Sequence, residues 1–134
     1  MDPGLLAMLI AKARAAQAHA YAPASRFAVG AALLGVDGRV FAGCNVENAS
    51  FGLTLCAERN ALGTAVAEGV RAFHALVVVT PVVEPAYPCG ACRQVLAEFA
   101  PKLPLFLVGR DDRIVRSTVE QLLPHAFRFE YSGT

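Results

Sequence analysis

Four cysteines, Cys44, Cys56, Cys89 and Cys92, and one glutamate, Glu58, carry most of the chemistry that the types and spacing of these 134 residues offer. Cys89 and Cys92 form Cys-x-x-Cys at the head of a helical pattern, and residues three apart share a helix face. Cys56 opens a second, alanine-rich helical pattern, with Glu58 two residues on. All three thiols therefore fall at helix N-termini, where backbone N–H groups and the helix dipole favour the thiolate, the form that binds metal. Three protein ligands leave one tetrahedral position for water, the arrangement of a catalytic rather than a structural zinc centre. Zinc acidifies its water, and a carboxylate beside that water can take the proton and deliver it elsewhere. Glu58 is placed for that role. Three thiolates around a dication leave the cluster net negative, which weakens the metal as a Lewis acid. A cation donating to the sulfurs would offset this, and Arg59, beside Glu58, and Arg93, beside Cys92, are the candidates.

Each feature has a plainer meaning. A bare Cys-x-x-Cys is also a redox pair, but redox chemistry makes no use of Cys56 and Glu58. A closed four-cysteine structural site would need Cys44, which ends an apolar strand pattern and belongs to no spaced pair. It reads better as a small buried apolar residue. Glu58 alone is ordinary first-turn dipole chemistry, and Arg59 alone is an ordinary surface charge. The combination carries the argument.

The elements that hold these groups follow from periodicity. Asp2-Pro3 reads as an N-cap with proline at the first helical position, and Leu6, Leu9, Ile10, Ala13 and Ala20 then predict a helix over 3–20. "YAPAS" breaks it. "FAVGAALLG" and "RVFAGCNV" flank the turn Val36-Asp37-Gly38, a hairpin signal, and "ENASFGLT" is a loop. A helix runs from Cys56 to about Glu68 and ends at Gly69. "HALVVVT" is apolar throughout and of strand length, which predicts a central strand. "PVVEPAYP" is a proline-bearing loop, and a helix over 90–99 stops before Pro101. "LPLFLVG" and "RIVRS" are the last strands, and "TVEQLLP" is a short helix. The order α-β-β-α-β-α-β-β-α predicts an α/β fold: one mixed sheet with helices on both faces, in a single domain over 1–134.

Composition limits the function classes. The net charge is +1 and the pI about 7.7, with no basic block, so nothing marks a nucleic-acid or membrane-surface binder. Apolar residues make up 55% and charged residues 17%, against roughly 45–50% and about 25% in ordinary chains. A small domain cannot hide that much apolar surface alone. No stretch approaches the ~18–20 apolar residues of a membrane span, and Asp2, Lys12 and Arg14 rule out a signal peptide reading of the N-terminus. The expectation is a cytoplasmic protein that oligomerises.

The motifs also resemble a family. Cys-Ala-Glu at 56–58 with Pro-Cys-Gly-Ala-Cys at 88–92 resembles the zinc-dependent cytidine deaminases. "YAPASRFAVGAALL", "GCNVENASFG", "CAERNAL", "PCGACRQV" and "VEQLLPHAF" look like the small, homotetrameric, three-cysteine type. The resemblance implies a five-stranded mixed sheet in an α-β-α sandwich and one zinc ion per subunit, held by Cys56, Cys89 and Cys92. It implies hydrolysis of cytidine and 2′-deoxycytidine to the uridine products and ammonia, in pyrimidine salvage, with Glu58 as the proton shuttle. By the same resemblance, Asn45 and Glu47 would hold the sugar 3′-hydroxyl, Phe27 and Ala57 would contact the nucleoside, and Arg59 would donate to the thiolates. Phe127 would reach into a neighbouring subunit's site, making the sites composite. Two residues depart from the pattern. Tyr87 stands where the family usually has a small hydroxyl residue, which puts the pocket's shape in question, and Phe51 stands where a tyrosine is common. A deaminase of another aminopyrimidine nucleoside, of the blasticidin S kind, would leave the ribose-reading pair in "NVEN" without a use. A polynucleotide editor would need a basic channel with aromatics, a reading that the +1 charge, the absence of tryptophan and the lack of extra loops oppose. A structural zinc module would need no Glu58.

Overall fold

The computed structural model of the chain describes residues 1–131; the end of the predicted domain, 132–134, lies outside the described residues. The chain forms α1 (Pro3–Gln17), β1 (Gly30–Gly35), β2 (Val40–Cys44), a 3-10 turn (Phe51–Leu53), α2 (Ala57–Ala67) and β3 (Phe73–Val79). It continues with α3 (Gly90–Phe99), β4 (Pro104–Val108), β5 (Ile114–Thr118) and α4 (Val119–Leu122). The five strands make one mixed sheet in the order β2-β1-β3-β4-β5. Only the β3–β4 pairing of these strands is parallel, and α3 makes its crossover. The apolar run predicted to be central does occupy the middle of the sheet.

Both faces of β3 are buried because its alternate residues serve two cores. Ala75, Val77 and Val79 pack with Leu6, Leu9 and Ala13 of α1. Leu76 and Val78 belong to the opposite core, with Ala61, Leu62 and Ala65 of α2 and Leu96 and Ala97 of α3. A strand buried on both sides reads as continuous apolar sequence. The consequence for function is positional: α2 and α3 lie on one face of the sheet, and α1 covers the other.

Several predicted boundaries move, each for a local reason. The first helix ends at Gln17 rather than residue 20. His19 and Ala20 close tighter turns, and Tyr21 then exchanges backbone hydrogen bonds with Asn45 and Glu47. The first strand begins at Gly30, not at Phe27, because the Asn45 side chain takes the place of a strand partner. Its Oδ1 accepts from Val29 N at 2.9 Å and its Nδ2 donates to Phe27 O at 2.8 Å. Cys56 caps α2 rather than joining it, and Gly69 just past its end has the left-handed φ of +87° that glycine adopts without penalty. No helix among the described residues is long and apolar enough to cross a membrane.

Candidate active site

The site lies beyond the carboxyl end of β3, where the starts of α2 and α3 meet. Cys56 is the N-cap of α2 and Cys89 the N-cap of α3, both in extended backbone conformation. The Cys89 sulfur accepts the Cys92 backbone N–H at 3.4 Å, so it does for α3 what a serine or aspartate cap does elsewhere. Pro88 precedes Cys89 and fixes the approach of the chain. Its carbonyl accepts from Arg93 Nε at 2.8 Å, while Arg93 Nη1 donates to Leu122 O at 2.9 Å. Arg93 therefore ties the Pro88 loop to the end of α4. It is not the cation on the sulfurs, which corrects that half of the expectation.

Arg59 is that cation. Its Nη2 lies 3.3 Å from Cys56 Sγ and 3.3 Å from Thr54 O. Cys56 Sγ is 3.7 Å from Cys89 Sγ, and Cys89 Sγ is 3.4 Å from Cys92 Sγ. All three sulfurs fall within 4.8 Å of one another. Three thiolates around one zinc at about 2.3 Å in tetrahedral geometry stand roughly 3.8 Å apart, so the spacing suits a single ion. Cys44 is not in this group. Its carbonyl accepts from Asn60 Nδ2 at 2.8 Å, and the residue is half-buried at the end of β2.

The thiols share their charge unevenly. A hydrogen bond from the Cys92 thiol, with help from the Arg59 guanidinium and Cys89, holds Cys56 well below the usual thiol range. Cys92 is held up by that same bond and by its burial. The thiolate in turn raises the Arg59 guanidinium, which remains charged at every accessible pH. Glu58, 4% exposed in the first turn of α2, has its carboxyl pushed up. Burial is the main cause, the Cys56 thiolate adds to it, and Arg59 opposes it. A carboxylate that resists ionisation beside a metal-binding cluster is suited to accept a proton and return it.

These groups open onto a cavity of about 370 Å³, within the size range of small-molecule sites. Phe27, Asn45, Cys56, Ala57, Glu58 and Cys89 all line it, so six of the residues singled out in the sequence converge. Cys92 and Arg59 stand behind the wall. Glu47 lines an adjoining recess that shares Ser25 and Thr54 with the cavity. Its carboxylate accepts the Ala24 N–H at 2.9 Å, the Ser25 N–H at 3.1 Å and the Ser25 hydroxyl. The Ser25 hydroxyl is the main reason its pKa is lowered. Phe127 does not reach the cavity of its own chain; it is 74% exposed, and its carbonyl accepts from Gln94 Nε2. Sequence reasoning missed Ser25, Thr54, Val78 and Thr80. Thr80 had a signal, because it ends the run "HALVVVT" in step with Leu76 and Val78 and so must point to the same face.

The comparisons agree with this geometry. Residues 6–107 match the family model described as the cytidine and deoxycytidylate deaminase zinc-binding region. The chain is 50% identical to a cytidine deaminase of Sporosarcina psychrophila over 91% of this chain and 90% of that one. It is 52% identical to the cytidine deaminase of Halalkalibacterium halodurans over 92% and 94%. The crystal structure of a cytidine deaminase from Burkholderia pseudomallei superposes with a TM-score of 0.89 at 48% identity, over 95% of this chain and all of that chain. With the sheet, the helix starts and the thiol cluster in the places described above, the chain belongs to the cytidine and deoxycytidylate deaminase zinc-binding family.

Proposed function

We propose that the protein hydrolyses cytidine and 2′-deoxycytidine to uridine and 2′-deoxyuridine, releasing ammonia, as a step of pyrimidine salvage in the cytoplasm. The observation that carries this reading is the placement of one buried, proton-accepting carboxylate, Glu58, in the same cavity wall as the thiols of Cys56 and Cys89. In this reading Cys56, Cys89 and Cys92 hold zinc, which supplies an acidified water when bound. Glu58 takes a proton, delivers it to N3 of the base and later serves the departing ammonia. The overall step balances as one water consumed, the C4–N bond broken and a C4 carbonyl formed. Arg59 draws charge off Cys56. Phe27 and the backbone of Ala57 face the base.

Asn45 and Glu47 receive the sugar hydroxyl through the capacity they have left. Asn45 spends one amide hydrogen and one lone pair on the segment 27–29, so one of each remains. Glu47 is already held rigid by three donors. A pair so fixed beside the cavity favours a nucleoside over a free base or an unrelated aminopyrimidine.

The same reading includes a homotetramer with composite sites. Phe51, Leu53, Leu55, Phe127 and Phe129 are all exposed on the single chain, apolar side chains that subunit contacts would cover. Phe127 would then line a neighbour's cavity. Ultraviolet-monitored turnover of both nucleosides by the zinc-loaded protein tests the proposal, with zinc content measured on the same sample. A zinc-loaded protein that turns over neither nucleoside refutes it.

A further inference from the structure

Thr80 directly follows β3 and is 3% exposed. Its backbone N–H donates to Val108 O at 3.1 Å, but its hydroxyl is buried with no hydrogen-bond partner among the described residues. Among those residues the only other buried side-chain polar atom in that state is Arg59 Nε, beside the thiol cluster. By strand alternation the Thr80 side chain stands on the α2–α3 face with Val78, and both residues line the cavity. Nothing in the fold needs the hydroxyl. Valine has the same shape, an apolar run precedes the residue in β3, and a buried hydroxyl left unmade is costly.

We propose that Thr80 is a substrate-positioning residue whose hydroxyl finds its partner in the polar edge of the bound pyrimidine. This rests on the deaminase reading above. In that reading C4 faces the thiol cluster and N3 faces Glu58, which leaves O2 and the 4-amino group as the polar substituents of the ring still to be satisfied. A threonine hydroxyl can donate to the first or accept from the second. One step about χ1 carries the hydroxyl to the neighbouring staggered position. Of the other lining residues, Val78, Ala86 and Pro88 offer no side-chain hydrogen-bonding group, while Tyr87 carries a phenol. The site thus carries a hydroxyl with no protein partner among the described residues, and a bound ligand that pairs with it gains selectivity for a polar group at that place.

The test is Thr80→Val beside Thr80→Ser on the zinc-loaded protein, read by thermal melting, by kcat/KM for cytidine and by direct binding of uridine. Thr80→Val is expected to raise Tm in the absence of ligand and to lower kcat/KM by about three- to tenfold, the usual loss for one neutral hydrogen bond. Thr80→Ser is expected to keep kcat/KM close to the wild type. Weakened uridine binding in the valine variant places the partner at O2 or at the C4 substituent, since a hydroxyl that accepts from the 4-amino group can donate to the 4-oxo group of the product. Uridine binding unchanged with a lowered kcat/KM assigns the 4-amino group. A Tm that falls with activity marks Thr80 as structural and overturns the inference, as does a kcat/KM that Thr80→Val leaves untouched. Wild-type protein without turnover would instead remove the deaminase reading itself, so the two failures are distinct.

Discussion

Gly43 lies in β2 beneath the first turns of α2, and the space above its Cα is already filled. A Cβ there would stand 2.5 Å from Ala57 O, 2.6 Å from Ala61 N and 3.2 Å from Ala61 Cα. All three atoms are helix backbone, so no side chain can swing aside. Restoring an ordinary contact of 3.4 Å requires α2 to retreat by about 0.9 Å. That displacement moves Cys56, Ala57 and Glu58 but not Cys89 and Cys92, which α3 carries. Gly43→Ala should therefore cost about 1–3 kcal/mol of stability through overpacking, or roughly 4–12 °C in Tm for a chain of this size. A misplacement near 1 Å at the reacting groups can cost about 10²-fold, so kcat/KM should fall by that order and zinc should be more easily stripped by a chelator. Gly63 supplies the internal control. It sits in the same helix with open space where a Cβ would stand, so Gly63→Ala should stabilise the helix by up to about 1 kcal/mol and leave the site alone. Differential scanning calorimetry, a chelator competition and nucleoside kinetics on both variants decide the matter. Unchanged melting and activity in Gly43→Ala would refute the claim that this contact sets the position of Cys56 and Glu58, and equal losses in both variants would trace the effect to the helix as a whole.

Other expectations are simpler. Glu58→Gln keeps the shape of a buried side chain but removes its proton chemistry, so turnover should drop at least about 10²–10⁴-fold while metal analysis finds zinc still bound; loss of zinc would make Glu58 a ligand. Cys56→Ala, Cys89→Ala and Cys92→Ala should each lose zinc, whereas Cys44→Ala, outside the thiol cluster, should keep both zinc and activity. Equal metal loss in all four would point to a closed structural site instead. Phe127→Ala should raise KM by roughly one to two powers of ten if its ring stacks on a neighbour's substrate at about 1–3 kcal/mol, with zinc content unchanged. Sedimentation should find a tetramer, and a fully active monomer would refute the composite site.

The order and type of the elements were legible from the sequence because each has a local cause. Asp2 caps and Pro3 starts α1, Gly38 turns the hairpin at a φ of +90°, and the two-sided burial of β3 prints itself as an uninterrupted apolar run. The three thiols were legible for the same reason, since a helix start is a local feature, and Cys56 marks one while Cys89 with Cys92 marks the other. What the sequence left open involves groups brought together from far along the chain. Arg59, three residues after Cys56, and Arg93, next to Cys92, have a similar local sequence logic. Only the packing of α3 against α4 turns Arg93 to the carbonyls of Pro88 and Leu122 and leaves Arg59 on the sulfur. The start of β1 was likewise set by a long-range bond, the Asn45 amide closing on Phe27 and Val29. Ser25 and Glu47 meet only because the segment at Tyr21 pairs with the one at Val46. The Thr80 hydroxyl, without a partner among the described residues, is the extreme case. Periodicity can say which face it takes, but an absent hydrogen bond is a property of every neighbour at once, and neighbours are what tertiary structure supplies.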